Sequence, residues 1–269
     1  MREPASLWKL RAASLERARK ALERGDPEGL HDLRVALRRL SATASALGKK
    51  RLSREARAMA RSLAPQRQLE VDRQLLARVG RLGFLSPDAV TALAARWEKL
   101  AARGDRRLAR AGDGRAIHGL VRSVGRLAHR KRSPGADRIA RARRRAEESL
   151  GRSLEGRDDA ALHRYRLAVK KARYLAEDLY AMGLAEWKTH AARERALQET
   201  LGRWNDLRMF CRRLAESRVE AEERGSIGLA SELEHLLAAL EPAIASVRGS
   251  AVEASRQTAS VVPITLRSA

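Results

Sequence analysis

The sequence predicts an all-α protein, and three observations lead to this prediction. Apolar residues recur at spacings of three and four almost throughout the chain, which is the period of an amphipathic helix. Prolines and glycines fall between these stretches, as they do in turns that join helices. Only 3 % of the residues are aromatic, which disfavours a β-sandwich or barrel because strands rely on aromatic and β-branched side chains.

The same periodicity locates the individual helices. Asp26, followed by Pro27, and the pair Asp158 and Asp159 are predicted N-caps, because carboxylates accept hydrogen bonds from the first turn of a helix. The segment 249–269 lacks helical period and is predicted to be a tail, with a short extended piece over 261–266. The predicted helices span residues 4–24, 27–48, 51–63, 67–82, 87–110, 114–131, 137–153, 159–182, 186–202, 204–223 and 227–247.

The charge balance points to an anionic partner. The 269 residues contain 56 Lys or Arg and 33 Asp or Glu, a formal net charge of +23. Between residues 96 and 157 there are nineteen Lys or Arg and seven Asp or Glu, including the clusters 130–132 and 143–145. These clusters either guide a long polyanion toward a binding site or form ordinary solvated surface.

Several functional classes are excluded or disfavoured by what the sequence lacks. The single Cys211 rules out an internal disulfide framework and a structural zinc site of the Cys₄ or Cys₂His₂ kind, and it fits a reducing cytoplasm. There is no apolar run of about 20 residues and no signal-peptide pattern, so we expect a soluble intracellular protein without a membrane partner. Nucleotide-binding, metallopeptidase and hydrolase motifs are also absent, and we expect neither a cofactor nor a catalytic site.

An internal repeat is the most informative feature of the sequence. Segment 30–39 aligns without gaps on segment 162–171, with identical Leu, His, Arg and Ala at the first, second, fifth and seventh positions. Four further positions are conservative matches. The alternative is that two helices rich in Arg, Ala and Leu resemble each other through composition alone.

Both copies of the repeat present a basic stripe beside an apolar one. At about 100° per residue, His31, Arg34 and Arg38 lie within about 60° of one another, next to a leucine stripe. In the second copy the stripe contains His163, Arg166, Lys170 and Arg173, with Tyr174 beside it. Crowded cations beside a buried face favour binding of an anion. Alternatively, the cations form a solvated helix face, and the histidines cap a helix or pack in the core. Metal binding is disfavoured because neither histidine has a partner ligand at i+4.

These residues resemble the CHAD family, the conserved histidine α-helical domain, whose motif runs approximately V/L-H-x-x-R-V-A-x-R/K-R/K-x-R. The second copy is the fuller match, because Ser41 replaces the final arginine of the first. A second family signature, a leucine-rich turn followed by R-D-L or N-D-L, is present at 201–207 and more weakly at 63–71, where Gln68 replaces the aspartate. The resemblance covers about residues 5–245.

The resemblance implies two helical bundles related by a pseudo-two-fold axis, with the histidine helices facing a basic central channel. The corresponding domains are residues 1–112, 113–248 and a tail at 249–269. It also implies binding of inorganic polyphosphate without catalysis, often at polyphosphate granules. The residues assigned to polyphosphate binding are His31, Arg34, Arg38, Arg39, Arg67, His163, Arg166, Lys170, Lys171, Arg173, Tyr174, Asn205 and Arg208.

Two other functions compete with polyphosphate binding. A basic helical protein can bind nucleic acid, but base stacking needs exposed aromatic side chains, and the four Trp, three Tyr and two Phe are few. Trp8, Trp97, Trp187 and Trp204 are expected in cores or interfaces. A phosphohydrolase is disfavoured because no carboxylate cluster for Mg²⁺ and no nucleophile with a base is evident. The oligomeric state is not predicted.

Overall fold

A computed structural model describes residues 4–111, 114–128, 136–154 and 158–260, and within these ranges the chain is helical, without strands. The all-α prediction is confirmed. The ten helices of the described residues are α1 (Pro4–Glu23), α2 (Gly29–Ala46), α3 (Lys50–Ser62), α4 (Ala64–Arg81), α5 (Pro87–Ala111), α6 (Gly114–Ala128), α7 (Ala136–Leu154), α8 (Asp159–Ala181), α9 (Trp187–Glu223) and α10 (Ile227–Ser260).

Three predicted helix boundaries are wrong. The predicted helices 186–202 and 204–223 form the single helix α9, which continues through Gly202. The predicted tail is helical as far as Ser260, where Ala251 and Ser255 are fully buried. Asp26 is not the N-cap of α2; its Oδ1 accepts from the Glu28 backbone N–H in a turn that precedes the helix.

The chain folds into two compact units that interleave along the sequence. Unit 1 comprises residues 1–64 and 107–198, and unit 2 comprises residues 65–106 and 199–269. Each unit therefore takes residues from both sides of residue 112. The pseudo-two-fold relation and the halves 1–112 and 113–248 stay predictions. Their boundary, the basic cluster 130–132 and the extended piece at 261–266 lie outside the described residues.

Unit 1 is built around a core of leucine and alanine side chains from α1, α2, α3, α6, α7 and α8. The chain reverses sharply between α1 and α2, where a Cβ on Gly29 would lie 2.6 Å from the Leu22 backbone nitrogen. Only glycine allows this approach. The end of α2 uses Gly48 at φ +73°, and the Lys49 N–H donates to the Ala44 carbonyl at 2.7 Å. This is a Schellman motif, which turns the chain toward α3.

Unit 2 contains α4, α10, and the parts of α5 and α9 that lie within its limits. Its core holds Trp97 and Phe210 in an edge-to-face contact, with ring centroids 6.0 Å apart. The Ser86 hydroxyl donates to Glu232 at 2.8 Å, which joins the start of α5 to α10. In the part of the chain that the structure describes, no helix combines the length and apolar character needed to cross a bilayer.

Candidate polyanion-binding site

Helix α2 presents the basic stripe that its sequence predicts. Leu33, Leu37 and Leu40 are fully buried in the core of unit 1. His31, Arg34 and Arg38 are partly buried along the edge of this apolar face. Their positions beside the core shelter the stripe from part of the solvent, which strengthens its interaction with an anion.

Helix α8 repeats this arrangement. The Asp158 side chain accepts from the Ala161 N–H at 2.6 Å, so the predicted N-cap is confirmed. Tyr165 and Val169 are buried, while Arg166 and Lys170 are partly buried beside them. His163 lies on the same stripe and is also partly buried.

The two histidine helices pack against each other in unit 1. A buried polar cluster joins them: Asp178 of α8 accepts from Thr43 Oγ1 of α2 at 2.6 Å and also pairs with Arg11 of α1. Arg11 Nε donates to the Thr43 hydroxyl at 3.1 Å. Asp178 and Thr43 are completely buried, so these contacts fix α1, α2 and α8 in one arrangement.

A second polar contact between α2 and α8 contains three of the predicted binding residues. Arg39 donates through Nε to Glu177 Oε2 at 2.9 Å, and its Nη2 lies 2.9 Å from the same oxygen. Arg173 Nε and Arg195 Nη2 lie 3.6 and 3.7 Å from Glu177 Oε1. The guanidinium groups of Arg39 and Arg173 lie 5.9 and 4.9 Å from the centre of the Tyr174 ring. We call Arg39, Arg173, Tyr174, Glu177 and Arg195 the Glu177 cluster.

Equivalent positions in the two repeats have different contacts. Ser41 occupies the position that Arg173 occupies in the second repeat, and both side chains are buried. The Ser41 hydroxyl lies 3.0 Å from the Ser53 carbonyl oxygen, to which it donates, and so joins α2 to α3. An arginine would not fit this helix contact, which explains the departure of the first repeat from the family motif.

Three of the predicted residues, Arg67, Asn205 and Arg208, belong to unit 2. Arg67 donates to Glu70 at 2.8 Å, and the Arg208 guanidinium lies 5.2 Å from the centre of the Trp204 ring. The Asn205 amide is buried and lies 3.4 Å from an Asp206 carboxylate oxygen. These contacts hold the side chains along their own helices.

Gln68, the departure from the second signature, has a structural role in unit 2. Its Nε2 donates to Asp72 Oδ1 at 2.9 Å, and Arg213 Nε donates to Asp72 Oδ2 at 2.5 Å. Asp72 is completely buried, and burial raises its pKa. The amide of Gln68 therefore helps to satisfy a buried carboxyl that joins α4 to α9.

The three arginines of the basic cluster 143–145 differ in burial. Arg143 is 2 % exposed and pairs with both Glu147 and Glu194, and its guanidinium lies 4.8 Å from the centre of the Trp187 ring. Burial raises the pKa of Glu194 to about 7, an effect that Arg143 opposes. Arg143 is thus a structural residue, whereas Arg144 and Arg145 are exposed.

Two basic pockets of unit 1 contain residues that the sequence did not single out. One has a volume of about 400 Å³ and contains Lys171 together with three arginines of α7; we call it the α7 pocket. The other, of about 390 Å³, lies between α1 and α2 and contains Arg39. It adds Arg17, Lys20 and Arg24 to the cations near α2. The α7 pocket is lined by Ser45, Ala46, Gly48, Arg138, Arg141, Ala142, Arg145 and Lys171.

Most of the aromatic side chains are unavailable for stacking on bases. Trp8, Trp97 and Trp204 are at most 1 % exposed, as expected, and Trp187 is partly buried. Phe84 and Tyr180 are 48 % and 45 % exposed. The described residues contain no group of three His, Cys, Asp or Glu side chains able to hold a metal ion.

The fold and this site define a basic, all-helical protein in which two histidine-containing helices pack side by side. The chain belongs to the CHAD domain family, because the sequence model of the CHAD domain matches residues 5–215. The family resemblance noted in the sequence is therefore confirmed. No curated protein matches the sequence.

Two solved structures share the fold. The crystal structure of the CHAD domain from the plant Ricinus communis has a TM-score of 0.66 and 22 % identity, and the match covers 93 % of this chain and 90 % of that chain. PptA from Streptomyces chartreusis has a TM-score of 0.73 and 19 % identity, and the match covers 94 % of this chain and 97 % of that chain.

Proposed function

We propose that this protein binds inorganic polyphosphate through the basic stripes of α2 and α8, without catalysing a reaction. The observation that carries the proposal is the packing of these two helices in one unit, with His31, Arg34 and Arg38 on one stripe and Arg166 and Lys170 on the other. The stripes line the proposed basic channel, and the protein acts at polyphosphate granules in the cytoplasm.

The chemistry of the ligand matches the side chains of the stripes. Polyphosphate is a chain of phosphate groups without bases, so arginine forks and lysine point charges on rigid helices are sufficient to bind it. The net charge of +23 attracts such a chain from a distance. Binding would also relieve the repulsion among cations that the packed helices bring together.

Nucleic acid is the second candidate ligand, and the aromatic side chains favour polyphosphate over it. Single-stranded nucleic acid is bound largely by stacking bases on exposed aromatic rings. Of the nine aromatic residues here, Phe84 and Tyr180 are the exposed ones. Nucleic acid can therefore gain charge contacts with this protein but little stacking.

The experiment is a titration with long-chain polyphosphate at physiological salt, followed by competition with single- and double-stranded DNA and RNA. We expect polyphosphate to stay bound when nucleic acid is added at the same phosphate concentration. We also expect Arg166→Ala/Lys170→Ala to weaken polyphosphate binding by at least about tenfold, because it removes two charge-assisted contacts.

The matched control is Arg122→Ala/Arg144→Ala, which removes the same charge from exposed positions of α6 and α7. Circular dichroism checks that both double variants keep their helicity and thermal stability. Equal weakening by the two double variants would mean diffuse attraction without a site and would reject the proposal. Displacement of polyphosphate by nucleic acid would favour the second candidate.

A further inference from the structure

The charged side chains that line the α7 pocket are three arginines and a lysine. Arg138, Arg141 and Arg145 occupy positions i, i+3 and i+7 of α7 and so share one face of that helix, along about 10 Å. Lys171 of α8 completes the set. None of the eight described residues that line this pocket is acidic.

The cations of the α7 pocket have no carboxylate partners among the described residues. The arginines of the Glu177 cluster share a glutamate, and Arg143 has two, but among the residues that the structure describes no ion pair includes Arg138, Arg141 or Arg145. The C-terminal end of α2 contributes the partial negative charge of its last carbonyls near Ser45. That is equivalent to about half a charge, which offsets only part of the four positive charges.

Burial and nearby charges both act on the ammonium group of Lys171. Partial burial lowers the pKa of the Lys171 ammonium group, and the nearby charges of Arg57 and Arg145 lower it further. Arg57 belongs to α3, so cations from α3, α7 and α8 converge on this side of unit 1. An anion in the pocket would relieve the repulsion and raise the pKa of Lys171 again.

The pocket is separate from the stripe of α8. Lys170 and Lys171 are consecutive, so their side chains leave the helix about 100° apart, and Lys171 lines the pocket while Lys170 does not. On α2, however, Ser45 follows Arg38 by seven residues and therefore lies on nearly the same side of the helix. The basic stripe of α2 thus leads toward the α7 pocket.

We propose that the α7 pocket is a second binding site for condensed phosphate, formed by Arg138, Arg141, Arg145 and Lys171. It would hold phosphate groups of the same chain after that chain leaves the α2 stripe. The inference rests on the proposed function, because it assumes the same class of ligand. Short condensed phosphates such as tripolyphosphate would occupy the pocket independently of the stripes.

The experiment follows the side-chain NMR signal of Lys171 in protein carrying ¹³C at the lysine Cε, assigned with a Lys171→Ala variant, while tripolyphosphate is added. We expect the pKa of Lys171 to rise on binding. Arg145→Ala should weaken the response about tenfold, since one charge-assisted contact is lost. Arg144→Ala is the matched control, because Arg144 is the next residue, equally charged and exposed, and does not line the pocket.

Two further measurements distinguish a failure of this inference from a failure of the proposed function. The Arg166→Ala/Lys170→Ala variant should keep the response of Lys171 to tripolyphosphate, even though its binding of long chains is weakened. If the Lys171 signal does not change when tripolyphosphate is added, or if Arg144→Ala and Arg145→Ala weaken the change equally, the proposal of a second site is wrong. Neither result would affect the proposed binding by the stripes. A stronger response to a short RNA than to tripolyphosphate would overturn the assignment of condensed phosphate.

Discussion

At the scale of single residues, Glu177 decides how many cations are available to a ligand. Its carboxylate lies within 4 Å of arginine nitrogens from Arg39, Arg173 and Arg195. Two of these arginines were assigned to polyphosphate binding from the sequence. In the structure they already have an anionic partner, so a phosphate chain would have to compete with Glu177 for them.

Glu177→Gln tests whether Arg39 and Arg173 contact the ligand. If they do, loss of the carboxylate releases them, and we expect polyphosphate to bind severalfold more tightly in isothermal titration calorimetry. The matched control is Glu222→Gln, which makes the same charge change in an exposed ion pair with Arg218. Unchanged affinity in Glu177→Gln, or the same gain in both variants, would show that these arginines have only a structural role.

Residue roles could be predicted where they depend on helical period alone. The stripe of α2, the apolar faces of both helices and the cap at Asp158 follow from spacing within one helix, and the structure has them as predicted. On α8, however, Arg173 of the predicted stripe and Tyr174 beside it are buried. The pairing of Arg143 with Glu194 joins residues far apart in sequence. No local pattern distinguishes Arg143 from Arg144, so the cluster 143–145 was expected to be one charged surface.

At the scale of helices, the contact between α2 and α8 depends on Asp178. Its carboxylate is completely buried with Arg11 and Thr43, which come from two other helices. We expect Asp178→Asn to lower the free energy of unfolding by about 3–5 kcal/mol, because it leaves the Arg11 charge buried without a counter-charge. Urea denaturation followed by circular dichroism measures the loss.

Glu222→Gln also serves as the control for Asp178→Asn. The Arg218–Glu222 pair lies on the surface of α9, and breaking it should cost less than about 1 kcal/mol. A loss for Asp178→Asn as small as that of the control would mean that the buried pair does not hold the histidine helices together. Binding of polyphosphate by the Asp178→Asn variant should also weaken, since α2 and α8 would no longer be fixed.

The helix errors have a common physical cause. The tail was expected to be irregular because it lacks helical period, yet α10 continues into it as far as Ser260, with Ala251 and Ser255 buried. Small side chains pack closely but produce little hydrophobic period. A break was also expected at residue 203, beside Gly202, although a glycine inside a helix costs only about 1 kcal/mol.

At the scale of the whole molecule, the order of residues along the chain does not match the compact units. Both histidine helices belong to unit 1, and the consecutive halves 1–112 and 113–248 that the family resemblance implies stay predictions. Which helices share a core depends on contacts between distant residues, such as Arg11 with Asp178, and these leave no periodic signal in the sequence. The positive charge was predictable from composition and the stripes from helical period, but the α7 pocket, which brings residues of α7 and α8 together, was not.

The salt dependence of binding shows how the whole charge distribution is used. Phosphate contacts release counterions, so the logarithm of the binding constant should fall linearly with the logarithm of the salt concentration. We expect the Arg166→Ala/Lys170→Ala variant to reduce this slope by about two, because each cation in contact with a phosphate contributes about one.

The measurement is a series of polyphosphate titrations between low and high salt on the wild type and both double variants. Arg122→Ala/Arg144→Ala has the same net charge as Arg166→Ala/Lys170→Ala, so long-range attraction is reduced equally in the two. The control should weaken binding slightly while keeping the wild-type slope. Equal reductions of the slope in both variants would contradict a defined site, because the phosphates would then contact the exposed cations of α6 and α7 as often as the stripe of α8.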